Sequence, residues 1–131
     1  MKFTIQGPPV PLARARHSAY KVYDSQKQLK IYHRVELERQ VKHKTLQSQP
    51  LIMHIRFFMP IPASYSQKKK LEMVGKPHFC KPDSSNLLKW AEDLGTLAGI
   101  YYDDAYIYKI DLEKIYDLNP RTEFEIFTVK V

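Results

Sequence analysis

Cysteine is nearly absent from this 131-residue sequence: Cys80 stands alone, which excludes an intramolecular disulfide and a thiolate metal cage. No apolar run approaches bilayer-crossing length, and Met1 to Gln6 lead into prolines rather than into the apolar stretch of a secretion signal. A cytoplasmic protein with no membrane contact is expected. The histidines His17, His33, His43, His54 and His78 keep no zinc-like spacing with one another or with Cys80, so no zinc is expected either. Acidic residues are scarce over most of the chain. Residues 1–82 hold 16 Lys and Arg against 4 Asp and Glu, a balance of +12, whereas residues 83–131 hold 5 against 10, a balance of −5. A cationic section suits a polyphosphate partner, because each neutralised phosphate releases counterions. An acidic section suits a divalent cation.

Hydrophobic residues make up 44% of the chain and are spread along it, enough for one packed core in a single domain over residues 1–131. Phe3 and Ile5 alternate with polar residues in a short first strand. Residues 7–19 carry three prolines and no regular period, which predicts an extended loop presenting Arg14 and Arg16. A short strand can form near residues 20–23. Asp24 or Ser25 can cap a helix running to about Lys44, with Leu29, Tyr32, Val35, Leu37 and Val41 facing inward. Leu51, Met53, Ile55, Phe57 and Met59 alternate with His54 and Arg56 in a second strand, which Pro60 and Pro62 end.

A long connection follows over residues 60–82, with a helical turn expected near residues 68–73 and a cationic run at Lys68, Lys69 and Lys70. Leu87, Ala91, Leu94 and Ala98 then mark one face of a helix over about residues 86–98, and Gly99 falls at its C-terminal cap. The remainder reads as a hairpin. Tyr106, Tyr108, Ile110 and Leu112 alternate with charged residues, Asn119-Pro120 marks a turn, and residues 124–131 supply the last strand. The expected architecture is α+β, a small mixed sheet packed with two main helices.

The helix entrance from Lys81 to Lys89 invites a chemical reading. Asp83 and Ser85 are both competent N-caps, which gives them a sufficient structural role. Lys89 fits less well, since a cation so near the helix start opposes the dipole at a cost of about 0.3–1 kcal/mol unless an anion sits nearby. A thirteen-residue helix is about 19 Å long, and five extended residues from Ile100 return about 16 Å, so Asp104 is expected to come back beside Asp83. Carboxylates converging with a lysine suit magnesium-dependent phosphodiester hydrolysis. Lys89, one turn after Ser85, can then reach a phosphate held by the metal.

The run Lys81-Pro82-Asp83-Ser84-Ser85-Asn86-Leu87-Leu88-Lys89, then Asp93, then Gly99-Ile100-Tyr101-Tyr102-Asp103-Asp104, resembles the signature of the RusA family of Holliday junction resolvases. In that family Asp-x-Asp-Asn-Leu-x-Lys leads through a helix and a glycine to Asp-Asp. The proline and arginine loop at residues 7–16 and the basic connection at residues 62–78 are similar to other parts of the family pattern. The resemblance implies a homodimeric, Mg2+-dependent endodeoxyribonuclease that resolves four-way DNA junctions in recombination and repair. Carried over by position, Asp83 and Asp104 would be metal ligands, Lys89 the catalytic lysine and Asp93 a supporting acid.

Ser85 departs from the pattern, because it stands where the family has the second aspartate of Asp-x-Asp. Asp103, or a water held by Ser85 and Asn86, could compensate. Arg14, Arg16, Lys68, Lys69, Lys70 and Lys81 would contact DNA phosphates, and Tyr101 and Tyr102 are candidates for stacking on unpaired bases. Two other readings stay open: a branched-DNA binding protein impaired in cleavage by Ser85, and an interaction protein that keeps the fold without nucleic acid.

Overall fold

The computed structural model describes residues 1–13, 16–17, 22–23, 26–42 and 48–130. Along the chain they form β1 (Lys2–Gln6), β2 (Arg16–His17), β3 (Val22–Tyr23), α1 (Lys27–Glu38), β4 (Leu51–Pro60), α2 (Gln67–Met73), α3 (Ser84–Leu97), a 3₁₀ turn (Asp104–Tyr106), β5 (Ile107–Asp117) and β6 (Arg121–Thr128). The expected α+β class is observed, with one four-stranded mixed sheet in the order β1-β6-β4-β5 and a separate two-stranded ribbon of β2 and β3. Between the two main helices lies the short α2, at the position expected for a helical turn. No helix among the described residues is long and apolar enough to cross a membrane.

β4 is the most apolar strand, and the sheet is organised around it. Leu51, Met53, Ile55, Phe57 and Met59 are all buried on its helix-facing side. β6 pairs with it antiparallel on one edge and β5 pairs parallel on the other. The hairpin expected for the last third of the chain is therefore not formed: β5 and β6 are separated by β4, and residues 118–120 cross its end. That crossing covers two strand spacings, about 10 Å, within reach of a three-residue link. β6 also begins earlier than expected, at Arg121. Its guanidinium lies 3.7 Å from the centre of the Phe58 ring and bonds Asp117 at 2.6 Å and Glu123 at 2.7 Å, so the cation holds the crossing in place.

α1 differs from expectation in length and in face. It stops at Glu38, with Gln26 at its N-cap position, and the expected caps Asp24 and Ser25 lie outside the described residues. His33 and Leu37 are buried, whereas Leu29, Tyr32 and Val35 are exposed. The polar side of the helix has work to do at the sheet edge. Gln40, just past the helix, accepts the Thr4 N–H at 2.8 Å and donates to the Thr4 carbonyl at 2.7 Å, while Glu36 accepts the Gln6 N–H at 2.9 Å. These side chains satisfy backbone groups of β1 that would otherwise be a bare edge. His33 accepts the Trp90 indole N–H at 3.1 Å, tying α1 to α3.

α3 follows its predicted pattern. Leu87, Ala91 and Leu94 are buried, and Gly99 takes φ +78° just beyond Ala98, the left-handed geometry that ends a helix at little cost in glycine. Gly95 serves a close approach. The Tyr101 ring lies directly against it, and a Cβ there would overlap the ring. The Tyr101 hydroxyl donates to the Glu92 carbonyl at 2.8 Å, so the segment returning from α3 is fastened across the helix it has just left.

Candidate functional site

The α3 entrance is built by two cations. Asp83 occupies the N-cap position, but its carboxylate makes no capping bond. It pairs instead with the Lys81 ammonium at 2.8 Å, and Lys81 first, then Lys114, holds the carboxyl below its usual range. Lys114 rises from β5 and donates to the carbonyls of Cys80 and Pro82, both at 2.7 Å. One strand-borne ammonium thus gathers the turn that delivers Asp83. Beside it the buried His78 ring lies 4.8 Å from the Tyr116 ring, and its Nδ1 has no hydrogen-bond partner. Burial, then Lys114, lowers the His78 pKa.

Ser85 and Lys89 are exposed one turn apart on α3, as expected from their spacing. Among the described residues Lys89 makes no salt bridge. No acidic side chain lies in the first turn of α3 to offset that cation.

The opposite situation holds at the acidic pair. The Asp103 carboxylate accepts the Ala105 N–H at 2.9 Å and so caps the 3₁₀ turn, a structural role. Asp104 begins that turn, which packs against α3. Burial raises its pKa, reinforced by Asp103 and by the charge of Asp93. Glu92 is likewise raised, by burial and then by Asp104 and Asp93. Asp104 therefore returns to α3, where the acids that act on it are Asp103 and Asp93 and where it in turn acts on Glu92, while the groups acting on Asp83 are the cations Lys81 and Lys114. Among the described residues no three His, Cys, Asp or Glu side chains converge closely enough to hold a metal ion.

The basic residues sort by position. Arg14 lies outside the described residues, and Arg16 belongs to β2, within the stretch expected to be loop. The segment before them is anchored next to α3: the Leu12 N–H donates to the Asn86 carbonyl at 3.0 Å, and the Ala13 N–H to Gln26 at 2.8 Å. Lys68, Lys69 and Lys70 lie on α2, which Ser66 caps by accepting the Lys69 N–H at 3.2 Å, and the Lys69 ammonium sits 4.0 Å from the centre of the Tyr65 ring. Tyr101 is buried, whereas Tyr102 is exposed beside Asp103.

Sequence reasoning misses three residues near the site: Lys114, Glu92 and His33. For Lys114 the chain does carry a signal. It continues the apolar phase Tyr108, Ile110, Leu112 of β5, and a lysine in that phase points toward the helices rather than toward open solvent. Glu92 and His33 depend on α3 meeting the returning segment and α1, which no local period reveals.

Comparison with known proteins fits this arrangement. The uncharacterized protein YqaN of Bacillus subtilis (strain 168) is 34% identical over 136 residues, covering 96% of this chain and 94% of that protein. The family model described as endodeoxyribonuclease RusA matches residues 6–127, nearly the whole described fold. The chain belongs to the RusA endodeoxyribonuclease family.

Proposed function

We propose that this chain is a Mg2+-dependent, structure-selective endodeoxyribonuclease that cuts four-way or branched DNA as a homodimer. The observation that carries the reading is the return of Asp104 to the flank of α3, where burial and then neighbouring carboxylates raise its proton affinity, while Asp83 at the N-cap and Lys89 within the same helix stand exposed. Hard oxygen donors that repel one another are what a divalent cation relieves. Asp83 and Asp104 would hold the metal, with Asp103 or a water on Ser85 completing the set. When bound, Mg2+ supplies Lewis-acid stabilisation and an activated water.

The chain's own groups do the rest. Lys89 places a positive charge where a scissile phosphate gathers negative charge. Lys81 pairs with Asp83 at 2.8 Å and would be released toward a phosphate by a cation bound there. Arg14, Arg16, Lys68, Lys69 and Lys70 supply backbone contacts that position DNA without reading sequence. Ser85 favours a second reading, a branched-DNA binding protein with impaired cleavage, because it removes a full negative charge from the metal site.

Labelled four-way junction and linear duplex, each with and without Mg2+, separate the two. Cleavage of the junction by the natural protein that disappears in Asp104→Asn supports the enzyme. Cleavage only by Ser85→Asp, with junction binding by the natural protein, supports the binding role. Absence of DNA affinity at low salt defeats both.

A further inference from the structure

The outer edge of β5 is divided. Its later half is covered: the His78 N–H donates to the Lys114 carbonyl at 2.9 Å, the Tyr116 N–H to the Lys76 carbonyl at 3.0 Å, and the Gly75 N–H to the Tyr116 carbonyl at 2.8 Å. These bonds show that Lys114 and Tyr116 direct their backbone groups away from β4. By alternation along the strand, Tyr108, Ile110 and Leu112 do the same. Among the described residues none of these three has a backbone partner on that edge. The open half also carries exposed apolar side chains, Tyr108 at 61% and Ile110 at 39%. Such an edge is a template for another strand.

We infer that this open half of β5 pairs antiparallel with the same segment of a second copy of the chain, about a twofold axis at Ile110. The charge pattern selects both the partner and the register. With the axis at Ile110, each Lys109 faces the other copy's Asp111, Tyr108 faces Leu112, and the pairing stays within the uncovered residues. Moving the axis to Asp111 would oppose the two aspartates and draw in Lys114, whose carbonyl is already taken by His78. Moving it to Lys109 would oppose the two lysines. Like charges directly opposite are unfavourable, and Lys109 and Asp111 would fall in the closer, non-hydrogen-bonded pairs, where side chains interact most.

The twofold runs perpendicular to the sheet, so both copies present their helices on one face of a continuous sheet. Three strand residues and a 3₁₀ turn separate Asp104 from the axis, which sets the two acidic pairs on the order of 30 Å apart on that face. This inference rests on the dimeric nuclease reading and deepens its assembly.

The test is sedimentation velocity of the full chain over micromolar concentrations, without DNA or metal. The natural protein should sediment as a dimer. Lys109→Asp and Asp111→Lys should each weaken association by about tenfold or more, and the double variant Lys109→Asp/Asp111→Lys should restore it. Circular dichroism and melting curves confirm that each variant folds. A monomeric natural protein, single variants that associate unchanged, or a double variant that fails to recover overturns the inference. A dimer that follows the charge swap but cuts no junction leaves the interface standing and defeats only the nuclease reading. Paired junction incisions by a protein that sediments as a monomer defeat the interface alone.

Discussion

Asp83 and Asp104 flank the same helix, yet cations surround the first and carboxylates the second. Lys81 and Lys114 lower the Asp83 pKa, whereas burial, Asp103 and Asp93 raise that of Asp104. The contrast separates two requirements of the metal site proposed above. At the α3 entrance the carboxylate is held ready by basic partners. At the 3₁₀ turn burial, with Asp103 and Asp93, disfavours the charged form, a tension that a bound cation would remove.

Neutralising one carboxylate should have the largest effect on the difference between the two ends. Asp104→Asn should lower junction cleavage by about 10³-fold, in line with loss of a group acting at the transition state. The same change should leave the melting temperature at neutral pH equal or higher, because the fold disfavours the ionised form of Asp104. Loss of activity together with a lower melting temperature would mean that Asp104 is chiefly structural. Retained activity would remove it from the site.

Lys114→Met tests the other end. It removes the two bonds to the Cys80 and Pro82 carbonyls, each a charge-assisted bond of about 1.5–3 kcal/mol. Cleavage should fall by about 10²-fold through misplacement of Asp83, while junction binding in EDTA stays intact. Lys114→Arg should recover part of the loss and Lys114→Gln little. A melting temperature that drops in parallel with activity in all three would reduce Lys114 to a folding role.

Much of this contrast is legible in the amino-acid sequence, and the part that is not has a common cause. The spacing from Ser85 to Lys89, the Gly99 cap and the alternation of β4 are local patterns, and each is observed. The inward face of α1 departs from its pattern because Leu29, Tyr32 and Val35 follow a helical period, while the decisive contacts are polar ones from Gln40, Glu36 and His33 to β1 and α3. The last two strands depart from the expected hairpin because the Asn119-Pro120 turn signals a reversal without saying whether another strand lies between. Lys114 belongs to the same class: its value comes from a loop more than thirty residues earlier in the chain.

A smaller effect is expected from restoring a charge at the entrance. Ser85→Asp adds a carboxylate one turn before Lys89 and near the positive end of α3, where it also offsets the helix dipole. Cleavage at limiting Mg2+ should rise by about tenfold, with little change at saturating metal. An equal gain at every Mg2+ concentration would place the benefit in helix stability or DNA binding rather than in metal affinity.

The smallest effect concerns the support between the two ends. Trp90 sits midway along α3 and donates to Nδ1 of His33, a bond that requires the neutral ring. Burial lowers the His33 pKa from 6.5, only partly opposed by Glu36. A depressed folded pKa means that the unfolded chain takes up the proton first. The stabilisation is therefore whole above about pH 6.5 and shrinks as the pH falls below that value toward the folded pKa. His78 shares the direction, so the two must be separated by substitution. His33→Asn should cost about 1 kcal/mol at pH 7.5 and flatten the loss of melting temperature between about pH 7.5 and 5.5. If the variant retains the full slope, His78 or the carboxylates govern the acid response, and the α1 contact does not couple protonation to the alignment of the two ends of α3.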